Sequence, residues 1–201
     1  IPSAHQLAVR LNAHPLAQSI FTQEKNTLSP SELAKPFVDP EKGVNTVDDA
    51  LQGAADIIAE TVADSATLRK TLRNFLLMHG ILKTESKPGA DPVYEMYAAY
   101  SEPVAKIAPH RVLAIDRGER EGALKVSLEA DLERCRKTIV RDFVKENTPC
   151  ADFVRNAAFD GFSRLIFPSL EREVRSALTE KAAEQAIRVF GVNLQQLLMQ
   201  P

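Results

Sequence analysis

The sequence predicts a mainly α-helical, multihelical fold with at most one short two-stranded β ribbon. Apolar residues recur at three- and four-residue spacing along most of the chain, which is the pattern of helices that bury one face. Helix-capping residues and helix-ending glycines stand at the borders of these apolar stripes. The least helix-like stretch, residues 94–128, is divided into short pieces by prolines.

Composition and charge exclude several classes of protein. With 44% hydrophobic and 26% charged residues, the chain has enough apolar surface for one or two small domains. Its formal net charge of −2 does not make it a polycation that must bind nucleic acid. No apolar run approaches the ~20 residues of a membrane span, and no secretory signal opens the chain, so no membrane partner is expected. Ile1 in place of Met indicates a processed or truncated chain.

The first part of the chain predicts short helices separated by turns. Residues 3–23 are expected to form two helices divided at His14 and Pro15, because proline removes a helix hydrogen bond. Ser29 and Glu32 form a capping-box pattern for the next helix. The turn at residues 39–43 ends in a glycine that is free to adopt a positive φ.

Two amphipathic helices are predicted next. Thr46 is expected to cap the first and Asp64 the second, which Gly80 should end. Their apolar faces are formed by Val47, Ala50, Leu51, Ala54, Ile58 and Val62 in the first helix, and by Leu68, Leu72, Phe75 and Leu76 in the second.

The middle of the chain combines short pieces of different kinds. Residues 81–85 and 123–128 predict two short strands that pair with each other. Tyrosines recur every three residues at positions 94, 97 and 100 and should stack along one side of a short helix. Residues 112–115 form a continuous apolar run, for which helix and strand are both open.

Helices are expected to resume at Asp131 and to continue to the end of the chain. One apolar stripe consists of Leu132, Cys135, Ile139 and Phe143. Residues 148–149 are expected to open the following helix, and Pro168 to kink or divide it. Thr179 is expected to cap the last helix.

No catalytic or metal-binding motif appears in the sequence. The four histidines are scattered without ligand spacing, and nucleotide-binding, zincin and hydrolase motifs are all missing. Cys135 and Cys150 lack metal-ligand spacing and are expected to be inert thiols in a reducing cytoplasm. We therefore expect no enzyme, no metal and no cofactor within these residues.

The best local functional signal is a basic row formed by Arg134, Lys137, Arg141 and Lys145. Their spacings of three, four and four residues predict that they share one helix face, and a row of cations on a helix can follow phosphates. The competing interpretation is a solvated face whose cations pair with Glu133, Asp142 and Glu146 on the same helix.

Several long sequence segments resemble the helical N-terminal region of the Tex family of bacterial transcription accessory proteins. In chain order they are FVDPEKGV (residues 37–44), ALQGAADIIAE (50–60), YSEP (100–103), PHRVLAIDRGEREG (109–122), LKVSL (124–128), LIFPSLEREVR (165–175) and EQAIRVF (184–190). Long segments in the same order are far more specific than a short motif. The resemblance covers nearly the whole chain and is weakest before Phe37.

The resemblance implies a scaffold of helix-turn-helix character within a multidomain, cytoplasmic protein associated with transcription and RNA. Residues 1–201 are then one multihelical region, with a subdivision into 1–128 and 129–201 as an alternative. The family's YqgF-like domain and its helix-hairpin-helix and OB-type RNA-binding domains are expected to lie outside this chain. No catalytic residue of the family can be placed on it.

The expected function is therefore that of a non-catalytic helical scaffold of a nucleic-acid-binding transcription accessory protein. Its partners would be RNA or DNA, bound mainly by domains outside this chain, and the transcription machinery. The alternative is a helical protein-interaction module without direct nucleic-acid contact. We also expect an exposed apolar patch or self-association through apolar residues of the terminal helices, namely Leu7, Leu11, Leu16, Ile20, Phe190, Leu194, Leu197 and Leu198.

Overall fold

The computed structural model describes residues 4–25 and 28–199, with side chains from Ala13 onward. The chain divides into two compact units, each built from two separate segments. Unit 1 consists of Ile1–Lys70 and Leu132–Pro168, and unit 2 of Thr71–Asp131 and Ser169–Pro201. The predicted mainly helical fold is confirmed.

Unit 1 is helical and is centred on α3. Its helices are α1 (Ala4–Thr22), α2 (Pro30–Ala34), α3 (Val47–Ala63), the start of α4 (Ala66–His79), α6 (Leu132–Phe143) and α7 (Ala151–Gly161). Helix α3 packs against α1, α2 and α7. Gly161 of α7 lets this helix approach α3 closely, because a Cβ on Gly161 would lie 2.7 Å from the Ala59 carbonyl oxygen.

The helix starts in unit 1 follow the local capping chemistry. Both predicted caps carry full capping boxes, Ser29 with Glu32 and Thr46 with Asp49. Gly43 adopts the predicted left-handed conformation, with φ of 81°. The prediction for Asp64 is wrong: this residue is the C-cap of α3, and the Ser65 hydroxyl accepts the Leu68 N–H at 3.3 Å instead.

Helix α1 is continuous, contrary to the predicted division at Pro15. Pro15 is exposed, so the helix loses its hydrogen bond on the solvent side, whereas Leu16 and Ile20 are fully buried. The packing of α1 against α3 therefore stabilises the helix across the proline. Leu16 and Ile20 do not need the additional cover that the sequence suggested, and the side chains of Leu7 and Leu11 lie outside the described residues.

Pro168 was predicted to kink or divide a helix, and the structure has a π turn just before it. Helix α7 passes through a π turn at Phe162–Ile166 into α8 (Phe167–Leu198), with the Phe167 N–H donating to the Phe162 carbonyl. Pro168 has no N–H for the Arg164 carbonyl, and a turn widened by one residue accommodates this loss without ending the helix.

Unit 2 contains a three-stranded antiparallel sheet in the order β2-β1-β3. Strand β1 (Ile81–Ser86) pairs with β3 (Leu124–Glu129), with Leu82 opposite Leu128, so the predicted pairing is confirmed. The limit of two strands is wrong, because β2 (Ser101–Pro103) pairs with the other edge of β1. Three residues are too few to show strand alternation in a sequence.

The core of unit 2 includes the residues around the tyrosines. Tyr94 and Tyr97 lie on a 3-10 turn (Pro92–Tyr97) and are buried, and the rings of Tyr97 and Tyr100 meet edge to face at 5.5 Å. Residues 112–115 belong to helix α5 (Pro109–Arg120), where Val112 and Ile115 are buried, and this resolves the open choice between helix and strand.

The last helix begins earlier than predicted. Thr179 lies inside α8 and is not a cap, since its hydroxyl donates to the Asp116 carboxylate at 2.6 Å. Ala182 joins the core of unit 2, and Arg175 pairs with the Glu119 carboxylate of α5. These contacts fix the first half of α8 against α5.

Candidate nucleic-acid interface

Helix α6 has a buried apolar side and an exposed cationic side. Cys135 and Ile139 are buried, whereas Arg134, Lys137 and Arg141 are exposed. These three cations, called the α6 cations below, span two helical turns, or ~10 Å along the axis. Leu132, predicted to belong to the buried stripe, is 41% exposed.

Lys145 does not lie on the same helix face as the other members of the basic row. Helix α6 ends at Phe143, and the Lys145 ammonium donates to the Thr22 carbonyl at the end of α1, at 2.7 Å. A cation there interacts favourably with the helix dipole. The structure thus gives Lys145 a position that stabilises unit 1, while its role in binding stays a prediction.

Gln23 supports this junction and was missed from the sequence. Its buried side chain donates to the Phe143 carbonyl at 2.7 Å and accepts the Lys145 N–H at 2.8 Å. It connects the end of α1 to the end of α6 from a left-handed conformation, with φ of 50°. A single glutamine between two helices gives no signal in the sequence.

Two of the three carboxylates near the basic row form ion pairs that differ from those predicted by the competing interpretation, and Asp142 pairs as predicted. Glu133 accepts from Arg136 at 2.7 Å and Glu146 from Arg155 at 2.8 Å. Neither arginine belongs to the basic row. The Asp142 carboxylate accepts a hydrogen bond from Arg141 at 2.8 Å, and the Arg141 side chain is 69% exposed. Two of the three acids therefore neutralise cations outside the basic row.

A small cleft between α6 and α7 lies beside the α6 cations. It has a volume of about 400 Å³ and includes Arg136, Lys137, Arg141 and Phe159 in its lining. The Arg136 guanidinium carbon lies 5.5 Å from the centre of the Phe159 ring, within the range of a cation–π contact. Arg136 and Phe159 are far apart in sequence, so spacing could not have paired them.

In unit 2, Tyr100, Glu102 and Arg111 form a hydrogen-bonded cluster. The Tyr100 hydroxyl donates to the Glu102 carboxylate, and Arg111 donates to both groups at 3.1 and 3.0 Å. The bond from Tyr100, assisted by Arg111, holds the pKa of Glu102 below its ordinary value. Burial and the bond to Glu102 raise the pKa of Tyr100. Because the three groups satisfy one another, the cluster connects β2 to α5 rather than presenting a reactive group.

The thiols and the possible metal ligands give no second candidate site. Cys135 and Cys150 are both buried, and burial raises the pKa of the Cys150 thiol. Within residues 4–25 and 28–199, no group of three or more metal-ligating side chains is placed to hold an ion. No helix in the same ranges is both long and apolar enough to cross a membrane.

The last part of α8 carries an exposed apolar row. Ile187, Phe190, Leu197 and Leu198 are 72%, 67%, 67% and 77% exposed, and Leu194 is 44% exposed. Phe190 also lines an apolar cleft of about 500 Å³, which Ala186 and Val189 of α8 form together with α5. The predicted apolar patch near the C-terminal end of the chain is therefore present.

Comparison with known proteins identifies the family. Residues 25–190 match the model of the Tex central region-like family. The chain belongs to the Tex central region-like family. Each segment that suggested the resemblance lies within the matched residues, so the resemblance inferred from the sequence is confirmed.

The chain is also similar to curated proteins from several organisms. The chain is 40% identical over 192 residues to the Bacillus subtilis protein YdcI, covering 93% of the chain and 27% of that protein. It is 31% identical over 159 residues to the Neisseria gonorrhoeae "Transcriptional accessory protein Tex", covering 75% of the chain and 21% of that protein. It is 29% identical over 188 residues to the human "S1 RNA-binding domain-containing protein 1", covering 85% of the chain and 19% of that protein. The chain thus spans about a quarter or less of the length of these relatives.

Proposed function

We propose that this Tex-family chain is the helical scaffold region of a nucleic-acid-binding transcription accessory protein, and that α6 adds a phosphate-contacting surface to it. The observation that carries the proposal is the exposed cationic side of α6, because Glu133 on α6 and Glu146 beyond its end pair with arginines outside the basic row. The names of the relatives, one a transcriptional accessory protein and one an S1 RNA-binding domain protein, support a role beside nucleic acid.

The proposed function also implies partners and a location for the protein. The partners are RNA or DNA, bound mainly through domains outside this chain, and the transcription machinery, in the cytoplasm. Helices α6 and α7 are consecutive and packed on each other, which supports the proposed helix-turn-helix character. The region itself is proposed to be non-catalytic, since the groups of the Tyr100, Glu102 and Arg111 cluster are hydrogen-bonded to one another.

Binding through α6 would be weak and independent of sequence. Phosphate contacts carry no sequence information, and a few lysines and arginines typically give non-specific dissociation constants of ~10⁻⁴ to 10⁻⁶ M. The test is a fluorescence-anisotropy titration of a labelled oligonucleotide with the wild type and with the triple charge-reversal variant R134E/K137E/R141E. We expect the variant to lose measurable binding.

A matched control separates a local effect from a change in net charge. The control variant reverses three exposed lysines of unit 1 that lie on neither α6 nor its junction with α1, K35E/K42E/K70E. It carries the same change in net charge, and we expect it to retain most of the affinity. Equal loss in both triple variants, with both still folded by circular dichroism, would contradict a role for α6.

The exposed apolar row of α8 favours a second candidate function, a helical protein-interaction module without direct nucleic-acid contact. Each large apolar side chain left in water forgoes about 1.5–3 kcal/mol of burial, and a contiguous apolar patch of this kind marks an interaction surface. We propose a second copy of the chain as the occupant, packing α8 against α8. Sedimentation velocity that shows a concentration-dependent dimer without oligonucleotide binding would favour this function over the first.

A further inference from the structure

The cleft between α6 and α7 contains one arginine whose guanidinium is only partly used. Arg136 donates from Nη1 to Glu133 at 2.7 Å and lies over the ring of Phe159. Its Nε–H is buried and donates to no protein group among the described residues. An arginine fork meets an oxyanion best through two parallel N–H bonds, so the bond to Glu133 leaves that capacity unfilled.

Glu133 is readily displaced from this position. Its side chain is 72% exposed, and an exposed pair three residues apart on a helix is held only weakly. A phosphate is also an oxyanion and carries the same sign of charge. Lys137 and Arg141 line the same cleft, and would add their attraction for a phosphate at the position where Glu133 now lies.

Phe159 decides which form of nucleic acid fits this cleft. An aromatic ring beside cations is the feature on which unstacked bases pack in single-strand binding proteins, whereas the bases of a duplex are stacked on one another. The Phe159 ring is half-buried and covered on one face by Arg136. Movement of Arg136 toward a phosphate would uncover that face for a base.

We propose that the α6–α7 cleft is a subsite for one nucleotide of a single strand. In it, the phosphate replaces Glu133 on Arg136, and the base packs on Phe159. The subsite rests on the proposed function of α6 and specifies its ligand. Glu133 then acts as a built-in competitor, which occupies Arg136 until a phosphate takes its place.

The first test removes the competitor. The substitution Glu133→Gln keeps the size of the side chain and removes its charge, and we expect it to tighten the binding of a labelled single-stranded oligonucleotide about two- to fivefold. The control is Asp56→Asn, which removes the same charge from the exposed pair between Asp56 and Arg164 at 3.0 Å, elsewhere in unit 1. We expect a smaller change in the control, because salt screens distant surface charges.

The second test removes the ring and the fork. Phe159→Leu should weaken single-strand binding at least about fivefold and leave the affinity for a duplex of the same sequence unchanged. Arg136→Lys keeps the charge but not the planar fork, and should weaken single-strand binding as well. It serves as the second variant if Phe159→Leu lowers stability.

The outcomes separate the subsite from the proposed function. If the α6 triple reversal abolishes binding while E133Q matches D56N, or while F159L and R136K leave single-strand affinity unchanged, the subsite is wrong and the α6 surface stands. Equal weakening of single-strand and duplex binding by F159L also overturns the subsite. Absence of any binding by the wild type overturns both proposals.

Discussion

Helix α6 and the last part of α8 differ in which side chains they expose to solvent. Helix α6 buries Cys135 and Ile139 and exposes its cations. The end of α8 exposes Ile187, Phe190 and Leu197, and no charged residue follows Arg188 in the chain. The difference shows that three-and-four apolar spacing indicates a helix but not its burial, which depends on the surface that packs against it.

The largest expected effect tests that difference in burial directly. Ile139→Ala removes a fully buried side chain and should lower the free energy of unfolding by about 2–5 kcal/mol. Leu197→Ala changes an exposed residue and should alter it by less than about 0.5 kcal/mol. Urea denaturation followed by circular dichroism measures both. Equal losses would mean that α8 is covered in solution.

The apolar row of α8 makes the next largest difference, in self-association. Phe190→Glu should lower the association constant of the α8–α8 dimer by about a hundredfold or more, because each of the two copies loses the burial of one large side chain. Gln195→Glu adds the same charge to the helix without removing apolar surface and serves as the control. A wild type that sediments as a monomer at all concentrations would refute the dimer.

Gln23 should matter for stability and not for binding. Gln23→Ala leaves the Phe143 carbonyl and the Lys145 N–H without their partner, at a cost of about 1–3 kcal/mol. Thermal denaturation should show the loss, while oligonucleotide affinity at a temperature where the variant is folded stays the same. A parallel loss of affinity would place this junction in the binding surface.

Substitutions of Lys145 and Lys137 should distinguish a cation that stabilises the fold from one that binds phosphate. Lys145→Ala removes the charge at the end of α1 and should cost about 0.3–1 kcal/mol of stability, with a smaller change in affinity than Lys137→Ala. Lys137→Ala should do the reverse and lower the steepness of the salt dependence by about one counterion. Paired melting and anisotropy measurements on the two variants decide the assignment, and an exchange of their effects would reverse it.

The smallest expected effect is a change with pH in unit 2. Because the fold lowers the pKa of Glu102, its contribution to stability is fully present above the ordinary glutamate pKa of ~4.3 and is lost as the pH falls below it. Glu102→Gln should therefore flatten part of the acid limb of stability against pH. Melting temperatures of both proteins between neutral and acid pH measure this, and parallel curves would contradict it.

Local chemistry explains which parts of the fold the sequence could predict. The capping boxes at Ser29 and Thr46, the left-handed Gly43 and the pairing of β1 with β3 depend on neighbouring residues or on clear alternation. The continuity of α1 through Pro15 depends on packing against α3, which no local pattern reveals. Strand β2 was missed because it is three residues long and is defined only by its partner.

The candidate site was predictable to a similar extent. Helical spacing correctly placed Arg134, Lys137 and Arg141 on one side of α6. It extended the row to Lys145 because nothing in the spacing marks the end of the helix at Phe143. The contact of Arg136 with Phe159 joins two helices, and such contacts require the fold.

The salt dependence of oligonucleotide binding tests the role of α6 most directly. If the three α6 cations contact phosphate, the logarithm of the binding constant should fall against the logarithm of salt concentration with a slope of about −2 for a single strand. Affinity should then fall about 20-fold between about 50 and 200 mM salt. The reversal variant R134E/K137E/R141E should show no salt-dependent binding. The same slope in the wild type and in this variant would contradict the proposed interface.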